Sequence, residues 1–354
     1  MTIPFVPEGV WTALATPFTK DNSLDLEAFT RLAQFQIQQG AQGLVPCGTT
    51  GESPTLSAGE RRTLIESAVH LAGGRLGVLA GTGSNNTAEA IRGAREAKEL
   101  GADAVLLVDC YYNGPSSLEL RTEYYERVLA AVPNIPLVPY VIPGRTGCML
   151  SIADLIHLHQ SHAERVFAVK EATGDVNRMQ LERELAPELQ ILSGDDELTH
   201  SLVDDPNIKA SGTISVMSNI VPAAIHRVVE ALRTGDRDEA ARMHAAIQPL
   251  LERVGCTLSS ERILPNGRRL RVEDKFRNPV PVKTMMAGLG MIPAHIRAPL
   301  GWMTHPAVQL CREALQTVFR QSAFVLEPIA THFGVDIEAR LRDDALWSSL
   351  ARAV

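Results

Sequence analysis

The sequence predicts an α/β fold, a (β/α)8 or TIM barrel followed by a C-terminal helical extension. From Gly9 to about Gly235, short apolar segments alternate at regular intervals with segments of helical spacing. The apolar segments are nearly continuous, which is typical of parallel strands buried on both faces. Eight such units close most simply into a barrel. An open doubly wound sheet is the alternative, but the nearest glycine turn, GTGSNN at residues 81–86, lacks the third glycine of a dinucleotide site.

Each predicted element has its own signal in the sequence. The strands are short apolar runs at residues 10–17, 43–47, 76–80, 104–108, 136–141, 166–169, 189–192 and 208–216. The helices follow at residues 25–39, from Ser57 onward, and at 86–100, 117–131, 151–160, 176–185, 196–203 and 222–233. Ser57 and Glu60 form the pattern of a capping box, which marks the start of the second helix.

The chain is expected to divide near residue 235. Residues 1–235 form the barrel with the active site, and residues 236–354 form a C-terminal helical region that begins with an amphipathic helix at 236–254. A polar, basic segment at about 257–278 interrupts this region as an inserted loop or hairpin.

Composition limits the possible partners. The net charge of −7 is spread along 354 residues, so no basic surface for nucleic acid is expected. No run of 18 apolar residues occurs, and the N-terminal sequence MTIPFVPEGVW has no basic region followed by an apolar run. The five cysteines are scattered without CxxC spacing, which is typical of reduced thiols. We therefore expect a cytoplasmic protein that binds neither nucleic acid nor a membrane.

Lys170 is the strongest candidate for a reactive residue. It directly follows the apolar strand VFAV at residues 166–169 and precedes the turn residues of EATGD. Burial disfavours a charged ammonium, and a lysine that is partly neutral is a nucleophile toward carbonyl groups. The alternative is an ordinary lysine at a strand end, with its ammonium in water or paired with Glu171.

Other reactive groups fall at the ends of neighbouring strands, where barrels of this class carry their active sites. Thr49 and Thr50 lie between two glycines after the second strand and can bind a carboxylate. Tyr140 and Arg145 follow the fifth strand, and the guanidinium also suits a carboxylate. Together with an amine nucleophile, these groups indicate imine chemistry on a keto acid.

A metal-dependent reaction is not expected. No histidine falls at a predicted strand end, and His157, His159 and His162 share a helix at spacings that do not place them on one face. We interpret these three as surface residues. Asp195 and Asp196 could bind a divalent ion, but two adjacent carboxylates without further ligands are a weak signal.

Five motifs, GTTGES, YYNGPS, YVIPGRTG, VKEATGD and GTISV, resemble in order and spacing those of the pyruvate-dependent class I lyase superfamily. This superfamily includes N-acetylneuraminate lyase and dihydrodipicolinate synthase. The resemblance extends from about Gly9 to Ile220 and, more loosely, over residues 278–300. Within the superfamily, the second threonine of GTTGES, the tyrosine pair and RTG resemble the synthase rather than the sugar-acid lyases.

The resemblance implies catalytic roles for four residues. Lys170 forms the imine with pyruvate, and Tyr140 transfers protons at the imine carbon. Thr49 and Tyr112 complete a proton relay to solvent. In the family the tyrosine at position 112 reaches into the site of a neighbouring subunit, which implies a homodimer or homotetramer. No cofactor is implied, because the lysine itself acts as the electron sink.

The resemblance also implies how the two small-molecule substrates bind. Thr50 with neighbouring backbone amides, including that of Gly48, holds the carboxylate of pyruvate. Arg145 holds the carboxylate of the aldehyde, L-aspartate 4-semialdehyde. Gly194 and Ile214, after the seventh strand and in the eighth, are expected to line the substrate site.

A lysine effector site is implied by four further matches, at Ser53, Asn85, Glu89 and Tyr111. Ala58 and Arg61 replace histidines of the lysine-sensitive enzymes, so weak or absent inhibition by lysine is predicted.

Three functions remain open at this level. The first is condensation of pyruvate with L-aspartate 4-semialdehyde to 4-hydroxy-tetrahydrodipicolinate in lysine and diaminopimelate biosynthesis. The second is a related aldolase or dehydratase acting on a sugar-derived 2-keto acid, suggested by Val141 and Gly144 where the synthases usually carry Asn and Ser. The third is a barrel that binds keto acids without turnover. Asp109 and Cys110, which replace the usual Thr-Pro before the tyrosines, are a further departure.

Overall fold

A computed structural model describes residues 5–352 and shows a closed barrel of eight parallel strands in sequence order. The strands are β1 (Gly9–Ala13), β2 (Gly43–Val45), β3 (Gly77–Gly81), β4 (Ala104–Val108), β5 (Leu137–Val141), β6 (Ala168–Glu171), β7 (Gln190–Ser193) and β8 (Gly212–Ser215). The barrel closes at β1, where Trp11 lies opposite Gly43 of β2 on one side and Ile214 of β8 on the other. The TIM barrel predicted from the sequence is confirmed.

Helices surround the barrel and continue after it. Those between strands and directly after β8 are α1 (Leu26–Gln38), α2 (Ala58–Ala72), α3 (Thr87–Glu99), α4 (Ser117–Glu119), α5 (Glu126–Ala131), α6 (Pro143–Thr146), α7 (Ile152–Ser161), α8 (Val176–Leu185), α9 (Thr199–Asp204) and α10 (Pro222–Thr234). The C-terminal helices are α11 (Arg237–Leu251), α12 (Val280–Gly288), α13 (His305–Ser322), α14 (Glu327–Phe333), α15 (Ile337–Arg342) and α16 (Asp344–Ser349). Within residues 5–352, no helix has the length and apolar character needed to cross a membrane.

Helix starts follow the capping signals in the sequence. Ser57 and Glu60 form a reciprocal capping box at α2, as predicted. Asn86 caps α3 by accepting hydrogen bonds from two backbone amides. Between α4 and α5 the backbone forms a π-helical segment, Leu120–Tyr125, which a periodicity of 3.6 residues does not predict.

The predicted strands differ from the observed ones mainly at their ends. The first and eighth are shorter than predicted, and the sixth lies further along the chain, at Ala168–Glu171, so that Lys170 is inside the strand rather than after it. Val166 is unavailable for the strand because its backbone bonds locally: its N–H donates to the His162 carbonyl, and its carbonyl bonds the His159 ring. His159 is therefore buried, and its interpretation as a surface residue is wrong.

The polar segment at 257–278 is a β-hairpin rather than an irregular loop. Strands β9 (Cys256–Ile263) and β10 (Arg269–Phe276) pair in antiparallel register over their whole length. Burial alternates along β9, which matches a two-stranded sheet with one face toward the protein. Directly after β10, Arg277 donates a hydrogen bond of 2.8 Å to the carbonyl of Gly144 beside the mouth of the barrel.

The core has two parts, one on each side of the strands. Side chains pointing inward fill the barrel, and those pointing outward pack against the helices. Trp11 fills the N-terminal end of the barrel, where only glycines fit beside it: a Cβ added at Gly43 or Gly77 would lie 2.1 or 2.3 Å from the indole. The barrel interior at this end is therefore a packed core.

We expect Gly43→Ala to lower the free energy of unfolding by about 3 kcal/mol, because the added Cβ would lie 2.1 Å from the buried indole of Trp11. Gly59→Ala in α2 is the control, since an added Cβ there meets no atom within 4 Å. That control should leave stability unchanged or raise it by up to about 1 kcal/mol. Urea unfolding measures both, and equal effects would contradict the packing described for Trp11.

Candidate active site

Two adjacent residues of β6 point to opposite sides of the barrel wall. The Lys170 side chain points into the barrel, where its Nζ lies 4.2 Å from the ring centroid of Tyr140, its neighbour in β5. Lys170 is only 4% exposed. Glu171 points outward, is fully buried, and accepts hydrogen bonds from Arg178 Nε and the Thr173 N–H, both at 3.0 Å. The alternative pairing of Lys170 with Glu171 is therefore wrong.

Gly194 gives the Lys170 side chain its space. A Cβ at position 194 would lie 3.1 Å from Lys170 Cε and 2.6 Å from the Cβ of Ala172. A side chain at position 194 would therefore collide with Ala172 and crowd the aliphatic part of Lys170. Ile214 lies inside the barrel and is buried together with Tyr140 in the inner core.

A cavity of about 200 Å³ opens beside Tyr140 at the C-terminal ends of the strands. It is lined by Cys47, Gly48, Thr49, Ser53, Pro54, Gly81, Gly83, Leu106, Val108, Tyr111, Tyr140, Arg145 and Thr146. Four residues predicted to be catalytic or substrate-binding are thus brought together here. Lys170 is not among the lining residues, but its Nζ contacts the ring of Tyr140, which lines the cavity.

Asn278, which the sequence analysis does not identify, connects the two residues predicted to bind carboxylates. Its Nδ2 donates a hydrogen bond of 3.0 Å to Thr50 Oγ1, and its backbone carbonyl accepts one of 2.8 Å from Arg145 Nη2. Asn278 is 8% exposed, and its Oδ1 has no hydrogen-bond partner among residues 5–352. Its position at the end of the hairpin gave no local signal, because both contacts span more than a hundred residues.

Tyr112 does not join the site of its own chain. Its side chain is 87% exposed, its φ of 82° is left-handed, and it is not among the residues described around the cavity. Left-handed backbone is strained for a tyrosine and is maintained only where the surrounding structure imposes it. A relay role for Tyr112 therefore requires a second copy of the chain.

The loop containing Thr49 and Thr50 is fixed from behind by a buried ion pair. Glu52, with a left-handed φ of 56°, pairs with Lys283 of α12, and both side chains are buried. Lys283 Nζ also donates to the Thr16 carbonyl at 2.8 Å, and the Arg297 N–H donates to Glu52 Oε2 at 3.0 Å. Burial lowers the pKa of Lys283, while the Glu52 carboxylate opposes that shift.

Of the four residues predicted to bind an effector, three line one of two separate cavities. Ser53 and Tyr111 line the cavity beside Tyr140. Glu89 lines a second cavity, of about 140 Å³, together with Ala58 and Arg61. Asn85 is exposed and lines neither cavity, and Glu89 already pairs with Arg92.

Asp196 has a structural role rather than the arrangement of a metal ligand. Its carboxylate accepts hydrogen bonds from Ser215 Oγ and from the backbone N–H groups of Val216 and Met217, which joins the ends of β7 and β8. Burial raises its pKa. No group of three His, Cys, Asp or Glu side chains with metal-binding geometry occurs in residues 5–352.

The sequence profile of the dihydrodipicolinate synthetase family matches residues 6–318. The chain belongs to this family. A 4-hydroxy-tetrahydrodipicolinate synthase from Endomicrobium trichonymphae is 40% identical over 298 residues, covering 84% of this chain and 94% of the relative. The match includes the barrel strands and all five motifs, while the chain after residue 318 lies beyond it.

Solved structures agree with this membership of the dihydrodipicolinate synthetase family. The dihydrodipicolinate synthase of Aquifex aeolicus superposes with a TM-score of 0.77 at 35% identity, covering 88% of this chain and 97% of that one. The chloride-inhibited dihydrodipicolinate synthase of Acinetobacter baumannii, solved in complex with pyruvate, superposes with a TM-score of 0.77 at 34% identity, covering 88% and 99%.

We expect Lys283→Met to destabilise the protein by about 3–5 kcal/mol, because it leaves the Glu52 carboxylate buried without its partner. The double variant Glu52→Gln/Lys283→Met should lose less than the sum of the two single variants. Arg62→Met is the matched control, because it breaks an exposed pair with Glu96 that contributes about 1 kcal/mol or less. Additive losses in denaturant unfolding would show that the buried pair is not coupled.

Proposed function

We propose that the chain condenses pyruvate with L-aspartate 4-semialdehyde to 4-hydroxy-tetrahydrodipicolinate, by way of an imine on Lys170. The observation that carries this proposal is the buried amine on the Tyr140 ring, beside a cavity that also contains Arg145. Membership of the dihydrodipicolinate synthetase family and the pyruvate complex of the Acinetobacter baumannii relative support it. No external cofactor is needed, because the protonated imine withdraws electrons from the neighbouring carbon.

The reaction begins with attack of the Lys170 amine on the keto carbon of pyruvate, and loss of water gives the imine. The methyl group then loses a proton to form an enamine, whose carbon attacks the aldehyde of the second substrate. The amine of that substrate closes on the imine carbon and releases Lys170. In this proposal Tyr140 transfers protons at the imine carbon, and the contact of its ring with Lys170 Nζ supports that role.

Two carboxylates must be held for this chemistry. Thr50 and the neighbouring backbone amides hold that of pyruvate, and Arg145 holds that of the aldehyde. Asn278 bonds to both residues and so fixes the spacing between the two carboxylate sites. A fixed spacing favours reaction because it orients the enamine carbon toward the aldehyde.

A homodimer completes the relay in this proposal. Thr49 lines the cavity, but Tyr112 is exposed and does not line it. Tyr112 of a second copy would supply the phenol that links Thr49 to solvent. Exposure of a large aromatic side chain on strained backbone is the observation that favours this arrangement.

The alternative with a sugar-derived keto acid loses its main reason. Val141 packs in the outer core against the helices, while its neighbour Tyr140 points into the barrel. Within the described part of the chain, neither Val141 nor Gly144 lines the cavity. Their departures from the usual synthase residues therefore place no different side chain in the lining of the cavity. A barrel without turnover is disfavoured because Lys170 and Tyr140 are both present and in contact.

The test is turnover of pyruvate with L-aspartate 4-semialdehyde, coupled to excess dihydrodipicolinate reductase and followed as loss of NADPH. Lys170→Ala should abolish turnover, and Lys170→Arg, which keeps the charge but not the nucleophile, should do the same. Arg145→Met should raise the KM for the aldehyde about 10- to 100-fold while changing that for pyruvate little. Turnover only with a sugar-derived aldehyde would overturn the proposal.

Inhibition by lysine should be weak or absent. Ala58 offers no polar group to the second cavity. Arg61 contributes a positive charge to the same cavity, and this charge would repel the side-chain ammonium of a lysine ligand. The measurement is the rate of the coupled assay against lysine concentration, with the double variant Ala58→His/Arg61→His as comparison. Half-maximal inhibition of the unaltered protein at micromolar lysine would contradict this prediction.

A further inference from the structure

A buried group of charged side chains lies directly behind Lys170, on the outer side of β6. Arg178 of α8 donates to Glu171 Oε2 at 3.0 Å, and its Nη2 lies 2.9 Å from Oε1 of Glu182, one helical turn further along. The two glutamates are fully buried, and Arg178 nearly so. These residues contact neither the cavity nor Lys170 Nζ, so the proposed chemistry does not use them directly.

Asp109 joins the same group through the backbone of one residue, Leu150. The Leu150 N–H donates to Asp109 Oδ2 at 3.0 Å, while the Leu150 carbonyl accepts from Arg178 Nη2 at 3.0 Å. Asp109 Oδ1 accepts a hydrogen bond of 2.6 Å from the Tyr125 hydroxyl, in the π-helical segment. Asp109 is one of the two departures before the tyrosine pair, and the structure places it in this group rather than in the cavity.

We propose that Asp109, Glu171, Arg178 and Glu182, the buried acidic cluster, are positioning residues that hold Lys170 in its reactive place, and that the cluster requires one carboxyl to stay protonated. This inference rests on the proposed imine at Lys170. The four side chains contact neither the substrate nor the reacting atoms. If they position Lys170, the rate of imine formation depends on the protonation of the cluster, which would not be so for a purely structural cluster.

The cluster connects three segments that carry Lys170 or residues lining the cavity. Glu171 is adjacent to Lys170 in β6, Asp109 lies two residues before Tyr111, and Leu150 follows the segment of Arg145. Arg178 bonds directly to Glu171 and to the Leu150 carbonyl. It is linked to Asp109 through the backbone of Leu150, whose N–H donates to the Asp109 carboxylate. A shift of β6 would therefore move the Lys170 amine relative to Tyr140, and a misplacement of about 1 Å can cost about 100-fold in rate.

Charge balance explains the need for a proton. Three buried carboxyls face one guanidinium. A further ionised carboxylate beside Glu171, without a cation of its own, would be costly in this environment. Both oxygens of Glu182 lack a well-aligned hydrogen-bond donor within residues 5–352. Burial, followed by repulsion from Glu171, raises the pKa of Glu182 to about 9, and burial raises that of Asp109 to about 6. At neutral pH, Glu182 is thus the neutral acid and Glu171 is the partner of Arg178.

Other titratable groups around the cluster do not supply a second cation. Tyr125 donates its hydroxyl hydrogen to Asp109, and burial raises its pKa well above the ordinary value. Cys110 and Cys148 lie on the same side, and burial raises the pKa of both thiols, that of Cys148 to about 11. Arg183, on the same helix as Glu182, bonds backbone carbonyls away from the cluster. Arg178 is therefore the cation that the three carboxyls share.

The test compares Glu171→Gln with Glu182→Gln, two substitutions that each remove one buried carboxyl and keep its size. In Glu171→Gln, Glu182 can ionise and become the partner of Arg178, so the net charge of the cluster is unchanged but the negative charge moves from β6 to α8. We expect kcat and the rate of pyruvate imine trapping by borohydride to fall about tenfold or more in this variant, with little change in the KM for pyruvate. Glu182→Gln imitates the protonated acid and should keep both rates near those of the unaltered protein at pH 8.

The pH dependence is a second, independent readout. The pKa of Glu182 is about 9 in the folded protein and about 4.5 in the unfolded chain. Between these two values the folded state binds a proton that the unfolded state does not bind. The contribution of Glu182 to stability therefore declines as pH rises from about 4.5 toward about 9. Glu182→Gln should remove this decline. It should also keep trapping pyruvate above pH 9, where the unaltered protein slows as Glu182 ionises. This comparison applies even if Glu171→Gln fails to fold.

The outcomes separate this inference from the proposed function. Equal trapping rates in Glu171→Gln and Glu182→Gln, or identical pH profiles of Glu182→Gln and the unaltered protein, would overturn the positioning role of the cluster. Absence of any pyruvate adduct in the unaltered protein would instead overturn the proposed imine, and this inference with it. The inference is supported by a tenfold loss of the trapping rate in Glu171→Gln but not in Glu182→Gln, together with continued trapping by Glu182→Gln above pH 9.

Discussion

The alternation of side chains along the four residues of β6 determines how the site is built. Because adjacent residues of a strand point to opposite faces, the barrel wall separates Lys170 from Glu171. The amine is then free of its nearest carboxylate and contacts the Tyr140 ring instead. The carboxylate finds its cation on α8. A shift of one residue in this strand would exchange the two side chains and remove the nucleophile from the barrel.

Buried ion pairs behind the barrel wall fix the loops that carry the polar groups. Glu52 with Lys283 holds the loop of Thr49 and Thr50, and Glu171 with Arg178 holds the strand of Lys170. Such pairs contribute little net stability, because the cost of desolvation offsets the attraction between the charges. The ion pairs instead fix the positions of the loop and the strand, because each carboxylate makes all its hydrogen bonds in only one arrangement. The C-terminal region takes part in this, because Lys283 and Asn278 both come from it.

Much of the fold could be predicted from the sequence, because its signals are local. Apolar runs identified all eight strands, and Ser57 with Glu60 marked the start of α2. The place of β6 was less certain, since a run of four apolar residues does not show where pairing begins. Val166 bonds to the preceding helix turn instead, and the strand extends to Glu171.

The site was predictable where a strand end carried a distinctive residue, as at Lys170, Tyr140 and Arg145. It was not predictable where a contact joins distant parts of the chain. Asn278 meets Thr50 across 228 residues and Arg145 across 133, and no local pattern records such contacts. The buried acidic cluster likewise depends on three elements that only the closed barrel brings together.

The most direct measurement is peptide mapping by mass spectrometry after incubation with pyruvate and borohydride. Borohydride reduces an imine to a stable amine, so the adduct marks the lysine that formed it. Our account predicts a single adduct, on the peptide that contains Lys170. Lys283 is an internal comparison, because it is also buried but pairs with Glu52 outside the cavity. An adduct on Lys283, or a Lys170 peptide that carries no adduct, would contradict this mechanism.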